Sequence, residues 1–128
     1  MEKIFYYKNN LDGKNPQFRL RIEIADTFLL RLRGLMLRSP ASLPIGTGLL
    51  IAPCNSVHMM FMRFAIDVVY LTEEYRIVKV VQGVRPWIGI SACLCRETWA
   101  VLELPAGSVS KYGIISGGSF CVSEQYMG

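Results

Sequence analysis

A chain of 128 residues is the size of one domain, and 52% hydrophobic against 19% charged side chains exclude a disordered segment. No apolar run reaches the roughly 18 residues of a membrane-spanning helix. The opening Met1-Glu2-Lys3-Ile4-Phe5-Tyr6-Tyr7-Lys8 is interrupted too soon for a secretory signal, so a single cytoplasmic domain over residues 1–128 is expected. The net charge of +4 gathers early, with eight Lys or Arg against four acids in residues 1–40. No basic run there exceeds a residue or two, so nucleic acid is not an expected partner.

In chain order, residues 4–7 read as a short strand and residues 11–16 as a turn, with Asp12-Gly13 and Asn15-Pro16 as breakers. Residues 18–24 alternate strictly, Phe18, Leu20, Ile22 and Ile24 against Arg19, Arg21 and Glu23. That is a half-exposed strand, and the two strands are expected to form a hairpin. Asp26 or Thr27 offers an N-cap for a short helix over residues 28–37, with Phe28, Leu32, Leu35 and Met36 at helical spacing and Arg31 and Arg38 off that stripe. A loop follows over residues 39–47. Strands are then expected at 48–52, 58–62, 64–71 and 76–82, a loop holding Trp87 at 83–90, and one long strand over 93–104. A single helical turn at 107–113, capped by Ser108 and stopped by Gly113, precedes a last strand at 119–122. Many short strands with one or two short helices predict a mostly β (α+β) domain, a compact antiparallel barrel or rolled sheet.

Two carboxylates sit in apolar surroundings. On the 64–71 strand, Phe64, Ile66, Val68 and Tyr70 share one face and Ala65, Asp67, Val69 and Leu71 the other, so Asp67 is expected to be buried. Glu103 shares a strand face with Val101 and Trp99, opposite Ala100, Leu102 and Leu104. A buried carboxylate needs a partner. Arg33, whose guanidinium presents a planar fork of donors, is the first choice for Asp67, with Glu103 expected close by. Such a set either stitches a helix to the sheet, the reading favoured by how often ion pairs are structural, or lines a small polar pocket for a ligand.

The only histidine, His58, is the one group that titrates near neutral pH without help. On an extended strand it would lie roughly 30 Å from Asp67, so the two meet only if the chain reverses between them. Cys54, His58, Cys93 and Cys95 could supply four soft ligands to zinc, but the chain lacks a Cys-x-x-Cys knuckle. Free thiols and no bound metal or cofactor are therefore expected. Met36, Met59, Met60 and Met62 read as fillers of an irregular core before they read as a pocket lining.

Arg33-Gly34-Leu35-Met36, His58-Met59-Met60-Phe61-Met62-Arg63-Phe64-Ala65-Ile66-Asp67 and Val101-Leu102-Glu103-Leu104-Pro105-Ala106-Gly107, the last followed by Gly113-Ile114-Ile115-Ser116-Gly117, fall in a fixed order. Together they resemble the family of domain of unknown function 192, over roughly residues 27–122. The resemblance implies a mostly-β domain. Members are sometimes associated with secretion or pilus-assembly systems, so it also implies an accessory role there. Met59, Ala65 and Gly118 depart from the Thr, Pro and Asp usual in the family.

Two functions are compatible with these residues. The favoured one is a non-catalytic binding or accessory module, taking a small ligand or protein segment near Arg33, His58, Met62, Asp67 and Glu103. The alternative is a small enzyme using His58 with Asp67 or Glu103 for acid/base chemistry. No nucleophile elbow or phosphate loop accompanies them.

Overall fold

The structure, a computed structural model, describes residues 1–9, 18–25, 38–59 and 61–123. The expected helix at 28–37 and Arg33 lie outside the described residues.

Among the described residues nine strands form in chain order: β1 (Glu2–Lys8), β2 (Phe18–Ala25), β3 (Thr47–Ile51), β4 (Ser56–His58), β5 (Ile66–Leu71), β6 (Ile77–Val84), β7 (Ile90–Ala92), β8 (Ala100–Pro105) and β9 (Ser119–Ser123). A 3-10 turn spans Pro40–Ser42, and one short helix, α1, spans Ser108–Tyr112. Seven strands make a curled sheet in the order β6-β5-β8-β3-β2-β1-β9, and β4 pairs with β7 in a separate ribbon. The two edges of the curled sheet meet at one end. Arg76, just before β6, bridges Ser119 of β9, and the Phe120 amide donates to Tyr75 O at 2.9 Å.

The expected hairpin of the first two strands is present, with Phe5 opposite Leu20 and Tyr7 opposite Phe18. One pairing is not antiparallel: β3 runs parallel to β2, with Gly48 beside Ile22. The connection over residues 26–46 is long enough for the crossover that a parallel pair requires. Gly48 is dictated by closeness, since a Cβ there would lie 2.6 Å from Leu104 Cδ2 and 2.9 Å from Glu103 O.

Alternation sorts the side chains into two apolar layers on opposite faces of the sheet. Phe5, Tyr7, Leu20, Ile22, Val69, Leu71, Leu102 and Leu104 belong to one, with Val109 of α1 packed among them. Leu49, Ile51, Ile66, Val68, Tyr70 and Val101 belong to the other, together with Val57, Met59, Met62 and Cys93 from the β4–β7 side. Every residue of β5 is buried, as its doubly apolar sequence requires.

Two expected strands are corrected. The strand at 58–62 ends at His58. Phe61 takes a left-handed φ of 64° and the Met62 amide donates to Met59 O at 3.0 Å, so the chain turns there. Of the long strand expected at 93–104 only the end is strand, as β8, because exposed Arg96 and Glu97 sit in a turn closed by the Thr98 amide on Cys95 O; β7 falls before it, at 90–92. Trp99 lies just before β8 and therefore escapes its alternation, packing with Ala100, Leu102 and Leu104 instead of with Val101.

Candidate functional site

Asp67 and Glu103 are both buried, at 1% and 6% exposure, and they belong to two different environments. In the β5–β8 register Asp67 faces Leu104 and Val68 faces Glu103. Directly opposed residues share a face, so the two carboxyls emerge on opposite sides of the sheet.

The Asp67 carboxylate takes three backbone amides. Oδ1 accepts from Gly83 N at 2.9 Å, and Oδ2 accepts from Gly107 N at 3.1 Å and Val109 N at 2.9 Å. The first bond seats a bulge: the β5–β6 register slips between Ile66 and Val68, and Gly83 has φ of 63°, the conformation a bulge of this kind reserves for glycine. The other two cap α1. Helices leave their first amides without an internal acceptor, and an acidic side chain there satisfies them. The expected cap, Ser108, is instead the first helical residue. Gly107 is the N-cap, with φ of 95°, and the Ser108 hydroxyl donates back to Pro105 O at 2.7 Å. Asp67, from a strand far away in sequence, does the work a local cap would do. The helix stops at Gly113 as its sequence suggests, with φ of 64°.

Glu103 has a different setting. It lies between Leu49 on β3 and Val68 on β5. Burial raises its pKa to about 7, opposed only by the attraction of the Arg38 guanidinium. Arg38 itself grips Glu23, with Nη1 to Oε2 at 3.0 Å and Nη2 to Oε1 at 3.3 Å. That hydrogen-bonded fork holds the Glu23 carboxyl below its usual range. Arg38 therefore sits within electrostatic reach of both acids. No spacing rule selects it from the sequence, because it begins a loop rather than occupying a face of an element.

Further polar groups share the Glu103 side. The Tyr70 hydroxyl donates to Ser91 Oγ at 2.8 Å in a buried bond. Burial raises the Tyr70 pKa, and Cys54, Cys93 and Glu103 push it the same way. The half-buried Cys54 thiol donates to Ser56 O at 3.0 Å, and burial, with Glu103 adding to it, raises its pKa. Cys54 also lines an open groove of about 300 Å³ with Pro53, Asn55, Thr98 and Trp99. A wider groove of about 610 Å³, lined by Glu73, Glu74, Arg76, Arg96 and Glu97, shares Thr98 and Trp99 with it.

The remaining candidates scatter. Met62 is buried on the Glu103 side of the sheet, and His58 is exposed on β4 opposite Ile90 of the ribbon. The cysteines are free thiols, and among the described residues no three His, Cys, Asp or Glu side chains are placed to share a metal ion. Gly118, a departure from the family pattern, is packed against Tyr7: a Cβ there would lie 2.8 Å from its hydroxyl oxygen. That hydroxyl accepts from Ile115 N at 3.0 Å and donates to Gly113 O at 3.2 Å, tying the end of α1 to β1. No helix among the described residues is long and apolar enough to cross a membrane.

Comparison with known proteins agrees with this arrangement. A UPF0127 protein of Pyrococcus furiosus is 37% identical over 75 residues, which cover 58% of this chain and 64% of that protein. A UPF0127 protein of Pyrococcus horikoshii is 33% identical over 81 residues, covering 59% and 66%. The matched region thus spans less than two thirds of either relative. Among solved structures, a Sinorhizobium meliloti protein described as a candidate transcription regulator superposes with a TM-score of 0.80 at 21% identity, covering 95% of this chain and 94% of that one. A Novosphingobium aromaticivorans protein of unknown function superposes at 0.75 with 20% identity, covering 93% and 83%. At these identities the two structures establish a shared fold. The sequence profile of domain of unknown function 192, described as "Uncharacterized ACR", matches residues 8–120, and the chain belongs to that family.

Proposed function

We propose that the protein is a non-catalytic binding module for a small ligand, with Glu103 as the recognising group. The observation that supports this is the contrast between its two buried acids. Asp67 has its oxygens occupied by three amides, as a structural carboxylate does. Glu103 is buried too, but burial raises its pKa to about 7 against the attraction of Arg38, and burying a charged carboxylate is costly. A ligand carrying an amine, guanidinium or hydroxyl would pair with its carboxyl. The groove at Cys54, Thr98 and Trp99 adjoins this polar cluster, since Cys54 both lines it and feels the Glu103 charge. The association with secretion or pilus assembly that the family implies finds no support in this geometry.

The test is a small-molecule screen followed by amide chemical shifts. Ligands should move the Cys54 and Trp99 amides in the wild type and leave them unmoved in Glu103→Gln. Equal shifts in both proteins would sink the assignment of Glu103.

A second reading, acid/base catalysis, draws on the pKa of Glu103 near 7, which matches the working range of a general acid or base. Glu103, not Asp67 with its three amide bonds, would then be the titrating group, and exposed His58 lies apart from it on the ribbon. A bell-shaped rate profile on any substrate, lost in Glu103→Gln, is its signature.

A further inference from the structure

We propose that the outer face of the β4–β7 ribbon is a docking surface for an anionic lipid bilayer, built from Phe61, Trp87, Ile88 and Ile90 with Arg63 and Arg85 beside them. The four apolar side chains are exposed by 46%, 54%, 73% and 80%. Single exposed apolar residues are ordinary, but a contiguous group is not. These four are contiguous. The Phe61 and Trp87 rings meet edge to face at 5.4 Å, the Trp87 amide donates to Met59 O at 2.7 Å, and the Met59 amide donates to Gly89 O at 2.9 Å. Ile90 then continues the patch on β7, opposite His58.

Both aromatic residues hold left-handed backbone, φ of 64° for Phe61 and 70° for Trp87. Bulky side chains adopt that region at a cost of about 1 kcal/mol or more, and such strain concentrates where a binding surface needs a side chain aimed outward. Here it aims two aromatic rings at solvent.

Charge selects the occupant. Residues 54–66 and 75–96 contain no Asp or Glu, whereas exposed Arg63 and Arg85 each stand two residues along the chain from an apolar tip, Phe61 and Trp87. A second copy meeting this face on a two-fold axis would set each arginine cluster against its own counterpart. An acidic apolar peptide would be better held by a groove, but Ile88 and Ile90 stand proud of the surface. Protruding Trp, Phe and Ile with flanking Arg is the composition of a loop that enters the headgroup region of an anionic membrane.

Flotation of the purified full chain with vesicles tests this, comparing phosphatidylcholine alone with phosphatidylcholine plus phosphatidylglycerol. Binding is expected on the anionic vesicles only. Replacing Arg63→Gln together with Arg85→Gln should weaken it roughly tenfold or more, since each cation near such a surface contributes. Ile88→Asp with Ile90→Asp, at positions too exposed to matter for folding, should abolish it. Failure to float on either vesicle, equal flotation on both, or a dimer in solution that Ile88→Asp dissolves would each overturn the proposal. None of these outcomes depends on ligand binding at Glu103.

Discussion

Asp67 and Glu103 lie on adjacent strands one register step apart, and their carboxyls point to opposite faces of the sheet. One is consumed by backbone amides, and the other is set by burial against the attraction of Arg38. This single step of register separates a structural acid from the candidate functional one.

Removing the structural acid should be expensive. Asp67→Ala leaves the amides of Gly83, Gly107 and Val109 without their acceptor, at about 1–3 kcal/mol for each one that water cannot reach. A total loss of about 3 kcal/mol or more is expected by denaturant titration, with faster hydrogen exchange at those three amides. Stability within about 0.5 kcal/mol of wild type would contradict the role given to Asp67.

Glu103 should make the protein less stable as the solution becomes less acidic. Its folded pKa, about 7, lies above the ordinary carboxyl value of 4.5, so the folded state holds a proton that the unfolded state releases. The stabilisation is complete below about 4.5 and is lost as pH rises through about 7. Glu103→Gln carries no such charge. It should flatten the curve between those limits and be the more stable protein at pH 8, by on the order of 2 kcal/mol. Glu23, held low by Arg38, works in the opposite sense and at lower pH: its contribution is lost as the solution becomes acidic. Parallel curves for wild type and Glu103→Gln would mean that Glu103 is not desolvated.

Gly48→Ala should destabilise the centre of the sheet. Its new methyl would fall on Leu104 Cδ2 and on the backbone oxygen of Glu103, and only the first of these can give way. A loss of about 2 kcal/mol is expected, in the range of overpacked cores. A neutral result would show that β3 and β8 can separate at no cost.

Much of the sheet was legible because alternation carries its own evidence. Residues 18–24 and 66–71 put Leu20 and Ile22, or Val68 and Tyr70, on one face without reference to anything distant. The burial of Asp67 followed from its neighbours in the same way. Its partners did not, because they are backbone amides, and an amide leaves no mark in the sequence. The same holds for the turn at Phe61, where φ turns positive at a residue whose side chain gives no such signal. The break between β7 and β8 was hidden by apolar residues on both sides of Arg96-Glu97. Arg38 was missed because its importance comes from where the loop delivers it, between Glu23 and Glu103.

The most direct measurement is native mass spectrometry of the protein taken from its own cells, with Glu103→Gln prepared alongside. A small-molecule adduct is expected on the wild-type chain and none on Glu103→Gln, with both proteins folded. The same adduct on both, or the bare chain in both, would contradict Glu103 as the recognising group.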